Sequence, residues 1–281
     1  MSTPSICVIG AGTMGSGIVQ VAAHNGCPTI LFDVQPAVLE KAKISIQHNL
    51  AFLVGKQKIT QEKSIEVFNN IRFITDIKQC IAAIIIEAII EKIEAKVALF
   101  NQLASINSSQ TIFASNTSSL SISDIQQHIV QPQRVVGMHF FNPAPLMKLV
   151  EVVKGNKTDD AVVQQIVLLC TTLQKTPVVC TDAPGFIVNR VARHYYLEAM
   201  KIVEAGMATI ETVDAIMEAN GFKMGPFKLM DLIGMDINLS VTQSMYSAFN
   251  NAERFAPATL QINKVAAGEL GKKTGKGFYQ Y

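Results

Sequence analysis

One histidine and one glutamate are spaced so that they could act together as an acid–base pair. His139 ends an apolar run within Gly-Met-His-Phe-Phe-Asn-Pro (137–143), and Glu151 lies at the start of the next apolar run. If these runs form neighbouring strands, their ends place the two side chains side by side. Histidine exchanges protons near neutral pH, because its unperturbed pKa is about 6.5. A carboxylate on its other ring nitrogen would fix the tautomer and stabilise the imidazolium. The pair therefore predicts general acid–base chemistry.

A glycine pattern near the N-terminus predicts nucleotide binding. Gly10, Gly12 and Gly15 have the spacing Gly-x-Gly-x-x-Gly, with Thr13 and Met14 between the last two, and they separate an apolar run from a helical pattern. The first glycine makes the tight turn, the second lets the backbone approach a pyrophosphate, and the third lets the helix pack on the strand. The helix N-terminus then offers N–H groups to the phosphates. A P-loop is excluded, because the residue after the last glycine is a serine and not the required lysine.

Asp33 completes this pattern at the end of the second apolar run, 18 residues beyond Gly15. Its carboxylate can accept hydrogen bonds from both ribose hydroxyls and would repel a 2′-phosphate. The next two residues, Val34 and Gln35, supply no arginine for such a phosphate. The sequence thus favours NAD over NADP, although FAD enzymes share the glycine pattern.

The elements that must position these residues follow from the apolar pattern. Residues 6–33 form a strand–helix–strand unit, and continuous apolar runs at 82–86, 111–114 and 135–138 are typical of strands buried on both faces. These runs predict an α/β protein with a Rossmann-type, doubly wound, mostly parallel sheet. Residues 36–70 contain two helical patterns split near Gly55, which predicts a helical hairpin inserted into this domain.

The character of the sequence changes at Pro184. Helical periodicity prevails from there to about Ala267, so we predict a Rossmann domain over 1–184 and an all-helical domain over 185–281. Lysines and glycines in the last stretch look like a phosphate loop, but the spacing is one residue short and no strand precedes a helix there.

Composition narrows the class of protein. The chain has 281 residues, 49% hydrophobic and 16% charged, and a net charge of only +2. No global field favours nucleic acid or an anionic membrane, and no apolar run is long enough to cross one. The first basic residue is Lys41, so no secretion signal is expected. Five widely spaced cysteines predict buried, reduced thiols in the cytoplasm and no metal site.

Seven sequence blocks occur together in a specific order. They are 10–15, Glu-Ala-Ile-Ile-Glu (87–91), Ser-Asn-Thr-Ser-Ser-Leu (115–120), 137–143, Pro-Gly-Phe-Ile-Val-Asn-Arg (184–190), Met-Gly-Pro-Phe (224–227) with Asp231, and Gly-Lys-Gly-Phe-Tyr (275–279). Through these blocks the chain, from about Ser5 to Tyr281, resembles the L-3-hydroxyacyl-CoA dehydrogenase family, which includes bacterial 3-hydroxybutyryl-CoA and 3-hydroxyadipyl-CoA dehydrogenases.

The resemblance implies NAD-dependent, reversible oxidation of a 3-hydroxyacyl-CoA to the 3-ketoacyl-CoA. His139 would be the base that removes the 3-hydroxyl proton, and Glu151 its partner. The other implied roles are substrate positioning by Ser118 and Asn189, contacts near the nicotinamide ribose by Glu91, Lys96 and Asn116, and a grip on CoA by the hairpin with Lys56. A homodimer through the C-terminal helices is also implied.

The sequence departs from the family pattern at two positions. The first is expected to affect packing and not chemistry, and the second leaves the preferred acyl chain length open. Lys228 replaces an acidic residue after Gly-Pro-Phe, and His194 stands where a proline is expected in the branch acting on dicarboxylyl-CoA.

Two other functions stay open. One is a β-hydroxyacid dehydrogenase that acts on free hydroxy acids with a lysine base; the other is a non-catalytic NAD-binding protein, which would need no oriented base.

Overall fold

A computed structural model describes residues 3–281, and the chain divides into two compact units. The first unit ends at Ala183, and the second spans Pro184–Tyr281. Each has its own hydrophobic core.

The first unit is built on one eight-stranded sheet, with the strand order β3-β2-β1-β4-β5-β6-β7-β8. All neighbouring strands are parallel except β6 and β7, which are antiparallel. This confirms the predicted mostly parallel, doubly wound sheet. The strands are β1 (Ile6–Ile9), β2 (Thr29–Phe32), β3 (Ile71–Ile74), β4 (Ile84–Glu87), β5 (Ile112–Ser115), β6 (Val135–Phe140), β7 (Leu149–Lys154) and β8 (Thr176–Thr181).

The central strands are buried along their whole length, as their unbroken apolar runs predict. Every residue of β1, β4, β5 and β6 is buried. Helices supply the cover, and the core includes Ile18, Val19 and Ala22 of the first helix. The helices of this unit are α1 (Thr13–His24), α2 (Pro36–Gly55), α3 (Gln61–Asn69), α4 (Ile93–Ala104), α5 (Ile122–Gln126) and α6 (Asp160–Thr172).

Helices α2 and α3 form the hairpin between β2 and β3. Proline at the first position of α2 is compatible with a helix start, and the Thr60 hydroxyl caps α3 by accepting a hydrogen bond from the Lys63 N–H at 3.2 Å. The buried residues of α2 recur every three or four positions and so form one apolar stripe, consisting of Leu39, Ala42, Ile46 and Leu50. The hairpin packs through this stripe into the main core.

The second unit consists of five helices and short turns. They are α7 (Val188–Glu204), α8 (Ile210–Ala219), α9 (Pro226–Ile233), α10 (Met235–Ala248) and α11 (Thr259–Ala266). Its core combines aromatic and methionine side chains, among them Tyr196, Met200, Phe227, Met230 and Met235. His194 packs on the ring of Phe255, with ring centroids 5.0 Å apart.

Two buried aspartates organise the second unit. Asp214 accepts hydrogen bonds from the first backbone N–H groups of α9, including that of Lys228 at 3.0 Å. The Lys228 ammonium instead contacts Glu218 at 2.8 Å, so the departure from the family pattern forms a local ion pair. Asp231 accepts from the backbone N–H groups of Phe278 and Tyr279, both at 2.9 Å. The C-terminal segment is thereby attached to α9.

The glycines of the C-terminal segment serve this attachment. A Cβ atom at Gly277 would lie 2.1 Å from the Asp231 carboxylate, and one at Gly271 would lie 2.2 Å from the Asp231 carbonyl oxygen. Their absent side chains therefore allow close packing on Asp231.

Membrane-spanning helices, metal sites and disulfides can be assessed over the described residues, 3–281. None of the described helices combines the length and apolar character that a bilayer crossing requires. Within the same part of the chain, no group of three histidine, cysteine or acidic side chains could hold a metal ion. All five cysteines are free; four are buried, while Cys180 is partly exposed, contrary to the expectation that all would be buried.

Candidate active site

The glycine turn connects β1 to α1 and combines tight packing with one open position. Gly10 has φ +98°, and a Cβ there would lie 2.6 Å from the carbonyl oxygen of Ala88. A Cβ at Gly15 would lie 1.7 Å from the Gly10 carbonyl oxygen, so α1 approaches the turn closely. At Gly12 a Cβ would meet nothing within 4 Å. Gly12 thus faces free space, and a ligand could approach the protein backbone there.

The start of α1 is suited to an anion. The first turn carries no acidic side chain, and no side chain caps its N–H groups. First-turn N–H groups have no partner within a helix, and the helix dipole places partial positive charge there. The segment from Gly12 to Gly15 therefore fits a pyrophosphate without any cationic side chain.

Asp33 is held next to this turn by two backbone hydrogen bonds. Its Oδ2 accepts from the Ala11 N–H and its Oδ1 accepts from the Gln35 N–H, both at 2.9 Å. The carboxylate is thus fixed beyond the end of β2, and each oxygen retains a further lone pair for a hydroxyl donor. Val34, the next residue, is 71% exposed and carries no positive charge. These features fit the ribose of NAD.

His139 and Glu151 are opposite each other on β6 and β7. They are registered partners in this antiparallel pair, and His139 Nδ1 lies 2.8 Å from Glu151 Oε2. Both are buried, at 6% and 1% exposure. Because a carboxylate only accepts hydrogen bonds, this contact favours the tautomer with the proton on Nδ1, in which Nε2 is the basic ring nitrogen. The spacing argument predicted this proximity, and the antiparallel register accounts for it.

Asn116 connects β5 to the strand that carries the histidine. Its Oδ1 accepts a hydrogen bond from the Phe140 N–H at 2.8 Å, and its own N–H donates to the Glu87 carbonyl oxygen at 2.8 Å. The asparagine therefore holds the end of β6 immediately after His139.

Glu91 binds the turn that carries Ser118. One carboxylate oxygen accepts from the Ser118 N–H at 3.1 Å, from the Ser119 hydroxyl at 3.2 Å and, at short range, from the Thr117 hydroxyl. Partial burial opposes ionisation, but the Lys96 ammonium and these donors lower the pKa of Glu91 overall. The residue is therefore an anion that orders the turn.

Lys96 is buried between two carboxylates. Its Nζ lies 2.6 Å from Glu87 Oε1 and 3.2 Å from Glu91 Oε2, and the lysine is 1% exposed. The other oxygen of Glu87 accepts from the Ser115 hydroxyl at 2.7 Å. Lys96 thus joins the ends of β4 and β5 to the Ser118 turn.

A cleft of about 540 Å³ begins at the glycine turn. One wall is the first half of α1, from Gly12 to Gln20, and another is the α2 face that includes Asn49 and Phe52. The third wall is the segment 142–146, which follows β6 three residues after His139. The cleft therefore leads from the glycine turn and the end of β6 toward the hairpin formed by α2 and α3.

Lys175 holds the segment that forms this third wall. Its ammonium donates to the carbonyl oxygens of Ala144 at 2.6 Å and Met147 at 2.8 Å, and the lysine is 8% exposed. Sequence reasoning missed this residue, because a lysine between a helix and a strand looks like any surface lysine. Glu87 belongs to the matching block 87–91, but nothing in the sequence marks it as a member of a buried ion pair.

Two further predicted site residues belong to other parts of the chain. Lys56 immediately follows α2 and is exposed, with its Nζ 5.7 Å from the ring centroid of Phe52. Asn189 is the second residue of α7 and belongs to the second unit. The first unit thus brings together the glycine turn, Asp33, the histidine pair and the Ser118 turn.

Family models match nearly the whole chain. A model described as 3-hydroxyacyl-CoA dehydrogenase, NAD binding domain, matches residues 5–183. A model described as 3-hydroxyacyl-CoA dehydrogenase, C-terminal domain, matches residues 185–281.

Curated relatives agree with these models. The chain is 45% identical over its whole length to 3-hydroxyadipyl-CoA dehydrogenase of Escherichia coli, of which it spans only 60%. It is 40% identical to a probable 3-hydroxybutyryl-CoA dehydrogenase of Bacillus subtilis, covering 100% of this chain and 98% of that one. It is 39% identical to a mitochondrial hydroxyacyl-coenzyme A dehydrogenase of Rattus norvegicus, covering 98% and 90%.

Solved structures extend the likeness to the fold. The crystal structure of 3-hydroxybutyryl-CoA dehydrogenase from Escherichia coli superposes with a TM-score of 0.96 at 45% identity, covering 100% of this chain and 60% of that one. The crystal structure of (S)-3-hydroxybutyryl-CoA dehydrogenase from Ralstonia eutropha superposes with a TM-score of 0.94 at 35% identity, covering 100% and 99%.

Proposed function

The chain belongs to the 3-hydroxyacyl-CoA dehydrogenase family, and from this premise we propose that it oxidises a (3S)-3-hydroxyacyl-CoA reversibly to the 3-ketoacyl-CoA. Its N-terminal part is the NAD-binding domain of that family. The observation that carries the proposal is the buried hydrogen bond between His139 and Glu151, in the same unit as the NAD-binding turn.

The histidine pair supplies the proton transfer. With Nδ1–H donated to Glu151, Nε2 of His139 takes the proton of the substrate's 3-hydroxyl group, and the carboxylate stabilises the resulting imidazolium. In the reverse direction the imidazolium returns this proton to the 3-keto oxygen. When bound, NAD supplies the acceptor for the hydride that leaves C3.

The cofactor would be held by the glycine turn and by Asp33. Gly10, Gly12, Thr13, Met14 and Gly15 place the start of α1 at the pyrophosphate, and the fixed Asp33 carboxylate accepts from the ribose hydroxyls.

Roles for the remaining site residues are part of the proposal. We assign substrate positioning to Ser118 and Asn189, and the nicotinamide-side ribose to Asn116, Glu91 and Lys96. The ion pair that buries Lys96 supports an indirect role for that lysine, namely holding Glu91 and the Ser118 turn in place. We assign Lys56, at the end of α2, to the CoA part of the substrate.

Two further features are proposed for the protein as a whole. The first is a homodimer formed by the helical unit, supported by half-exposed apolar side chains such as Leu232 and Ile237 on neighbouring helices. The second is a cytoplasmic location, which rests on the five free cysteines.

The test is a comparison of substrates. Purified protein with NAD should oxidise (3S)-3-hydroxybutyryl-CoA and leave free 3-hydroxybutyrate unreacted, with NADP a poor substitute for NAD. Longer-chain and ω-carboxylated thioesters, compared by kcat/KM, then define the acyl preference. Oxidation of the free acid would favour a β-hydroxyacid dehydrogenase. NADH binding without turnover of any thioester would favour a non-catalytic protein.

A further inference from the structure

The turn that carries Ser118 is bound by carboxylates at both of its ends. Glu91 binds the first end, where it accepts a hydrogen bond from the Ser118 N–H at 3.1 Å. Three residues further on, Ser121 ends the turn and caps α5 by accepting a hydrogen bond from the Asp124 N–H at 3.0 Å. The carboxylate that binds this second end belongs to Asp182.

Asp182 contacts the start of α5 through one carboxylate oxygen. Its Oδ2 accepts hydrogen bonds from the Ser121 hydroxyl at 2.8 Å and from the Ser123 N–H at 2.7 Å. The N–H groups of a first helical turn have no partner within the helix, and Asp182 supplies one. The start of α5 is therefore held by a residue that lies about 60 positions later in the chain.

The backbone of Asp182 is fixed to the strands that carry the acid–base pair. Asp182 directly follows β8, and its N–H donates to the Lys154 carbonyl oxygen at the end of β7 at 3.0 Å. Strand β7 carries Glu151 and pairs with β6, which carries His139. The Asp182 side chain therefore connects these strands to the Ser118 turn.

This contact closes a ring of paired elements within the first unit. Strand β5, which leads into the Ser118 turn, pairs with β6, and β6, β7 and β8 pair in succession. Asp182 then leads from β8 back to the end of the turn. The turn is thus fixed from two sides, by the pairing of β5 with β6 before it and by Asp182 after it. Without Asp182, its second end would be free to shift relative to His139.

Resting on the proposed function, in which Ser118 positions the substrate, we propose that Asp182 is a positioning residue of the active site. By holding Ser121 and the start of α5, it sets the place of the Ser118 hydroxyl relative to the His139 imidazole. Asp182 itself does not touch the substrate and acts only through the turn. The alternative is that Asp182 serves stability alone, as a cap of α5. Kinetics that depend on Ser118 distinguish the two roles.

The experiment is a double-mutant cycle between Asp182 and Ser118, measured with NAD and (3S)-3-hydroxybutyryl-CoA. Asp182→Leu removes the acceptor at similar size, and kcat/KM should fall roughly 10- to 100-fold, since a shift of about 1 Å in a site can cost about 10²-fold. Asp182→Asn keeps an oxygen that can accept both hydrogen bonds, so kcat/KM should stay within roughly fivefold of wild type. Added to Ser118→Ala, Asp182→Leu should lower kcat/KM by less than about threefold, because the hydroxyl that it positions is already absent.

Two measurements control for damage to the fold. The dissociation constant of NADH should change little in Asp182→Leu, because the glycine turn and Asp33 keep their contacts, and denaturant unfolding should stay cooperative. Asp76→Leu is the matched control, since Asp76 likewise caps a short helix, residues 77–79, by accepting from the Lys78 N–H at 3.0 Å. This variant should have the kcat/KM of wild type.

Three results would overturn the proposal. They are wild-type kcat/KM in a folded Asp182→Leu variant, equal losses in Asp182→Leu and Asp182→Asn, and losses that multiply in full when Asp182→Leu is added to Ser118→Ala. If Asp182→Leu does not fold, Ser121→Ala removes the hydroxyl of the same contact and takes its place in the cycle, where fully multiplied losses overturn the proposal equally. Failure of the proposed function looks different, because the wild-type protein would then not oxidise the thioester.

Discussion

At the scale of single residues, the proposed chemistry depends on one nitrogen of His139. Replacing it by glutamine removes the proton acceptor but keeps a polar side chain of similar size beside Glu151. We expect kcat to fall by roughly 10² to 10⁴, which is the usual contribution of a general acid–base group. The dissociation constant of NADH, measured by fluorescence titration, should change little. Wild-type turnover in this variant would refute the assignment.

The proposed preference for NAD over NADP depends on the Asp33 carboxylate. Asp33→Asn removes its charge while the amide oxygen can still accept from the Ala11 N–H. We expect NADH affinity to fall roughly tenfold, since hydrogen bonds to charged groups contribute about 1.5–3 kcal/mol. The ratio of kcat/KM for NAD to that for NADP should also fall, and Val34→Arg added to it should lower the ratio further. KM for the acyl-CoA is the internal control. A ratio that does not move in either variant would contradict the role given to Asp33.

Residues that act through short sequence motifs could be predicted, whereas residues that act through distant contacts could not. The proximity of His139 and Glu151 follows from two apolar runs and their ends. Lys175 contacts carbonyl oxygens 28 and 31 residues earlier in the chain, and no local pattern marks such a contact. Buried charges such as Glu87 and Lys96 look like surface residues until their partner is known.

At the scale of elements, substitution by alanine should lower the stability of the protein at Gly15 and its affinity for NADH at Gly12. Gly15→Ala forces a Cβ against the Gly10 carbonyl oxygen, where there is no room, so we expect a loss of at least about 2 kcal/mol in the free energy of unfolding. Gly12→Ala adds a methyl group in free space, so stability should change by less than about 1 kcal/mol.

The readouts for this pair are denaturant unfolding and NADH titration. NADH affinity of Gly12→Ala should fall at least tenfold, because the added methyl group occupies the space through which the pyrophosphate approaches the backbone. Normal NADH binding by a folded Gly12→Ala variant would show that the glycine turn does not bind the cofactor.

The connection between β6 and β7 depends on Lys175. Lys175→Met leaves the buried carbonyl oxygen of Ala144 without its donor, and we expect a loss of roughly 1–3 kcal/mol in unfolding free energy. KM for the acyl-CoA should rise, because the segment 142–146 lines the cleft that begins at the glycine turn. Lys157→Met, at an exposed lysine that does not line this cleft, is the control for stability and KM. Unchanged stability and unchanged KM together would show that the two hydrogen bonds do not hold the segment.

The element pattern itself was largely readable from the sequence. Continuous apolar runs identified the buried strands, and the glycine turn located the start of α1. The antiparallel pairing of β6 with β7 could not be read in this way, since the direction of a neighbouring strand depends on how the short connection after Phe140 turns. Edge strand β8 has no fully buried residue, so its apolar residues do not predict how far the strand is buried.

At the scale of the whole molecule, the small net charge of +2 requires that anionic ligands be bound by local features. The proposal assigns the cofactor phosphates to a helix N-terminus and the CoA part of the substrate to Lys56, immediately after α2. Both arrangements place positive potential only where the ligand needs it. Salt should therefore weaken the binding of CoA thioesters more than that of pantetheine thioesters.

The proposed homodimer is a property of the whole molecule. A homodimer predicts a sedimentation-equilibrium mass of twice 30.6 kDa at micromolar concentration. Leu232 is 51% exposed and Ile237 is 50% exposed, so glutamate at both positions costs the isolated helical unit little. At an interface, however, the same charges would be buried without partners, and the double variant should sediment as a monomer with its cooperative thermal unfolding retained. Met207→Glu, at a 77% exposed position beyond the end of α7, serves as the comparison and should remain dimeric. A wild-type mass near 30.6 kDa would exclude the dimer, and a double variant that stays dimeric would place the interface on another face.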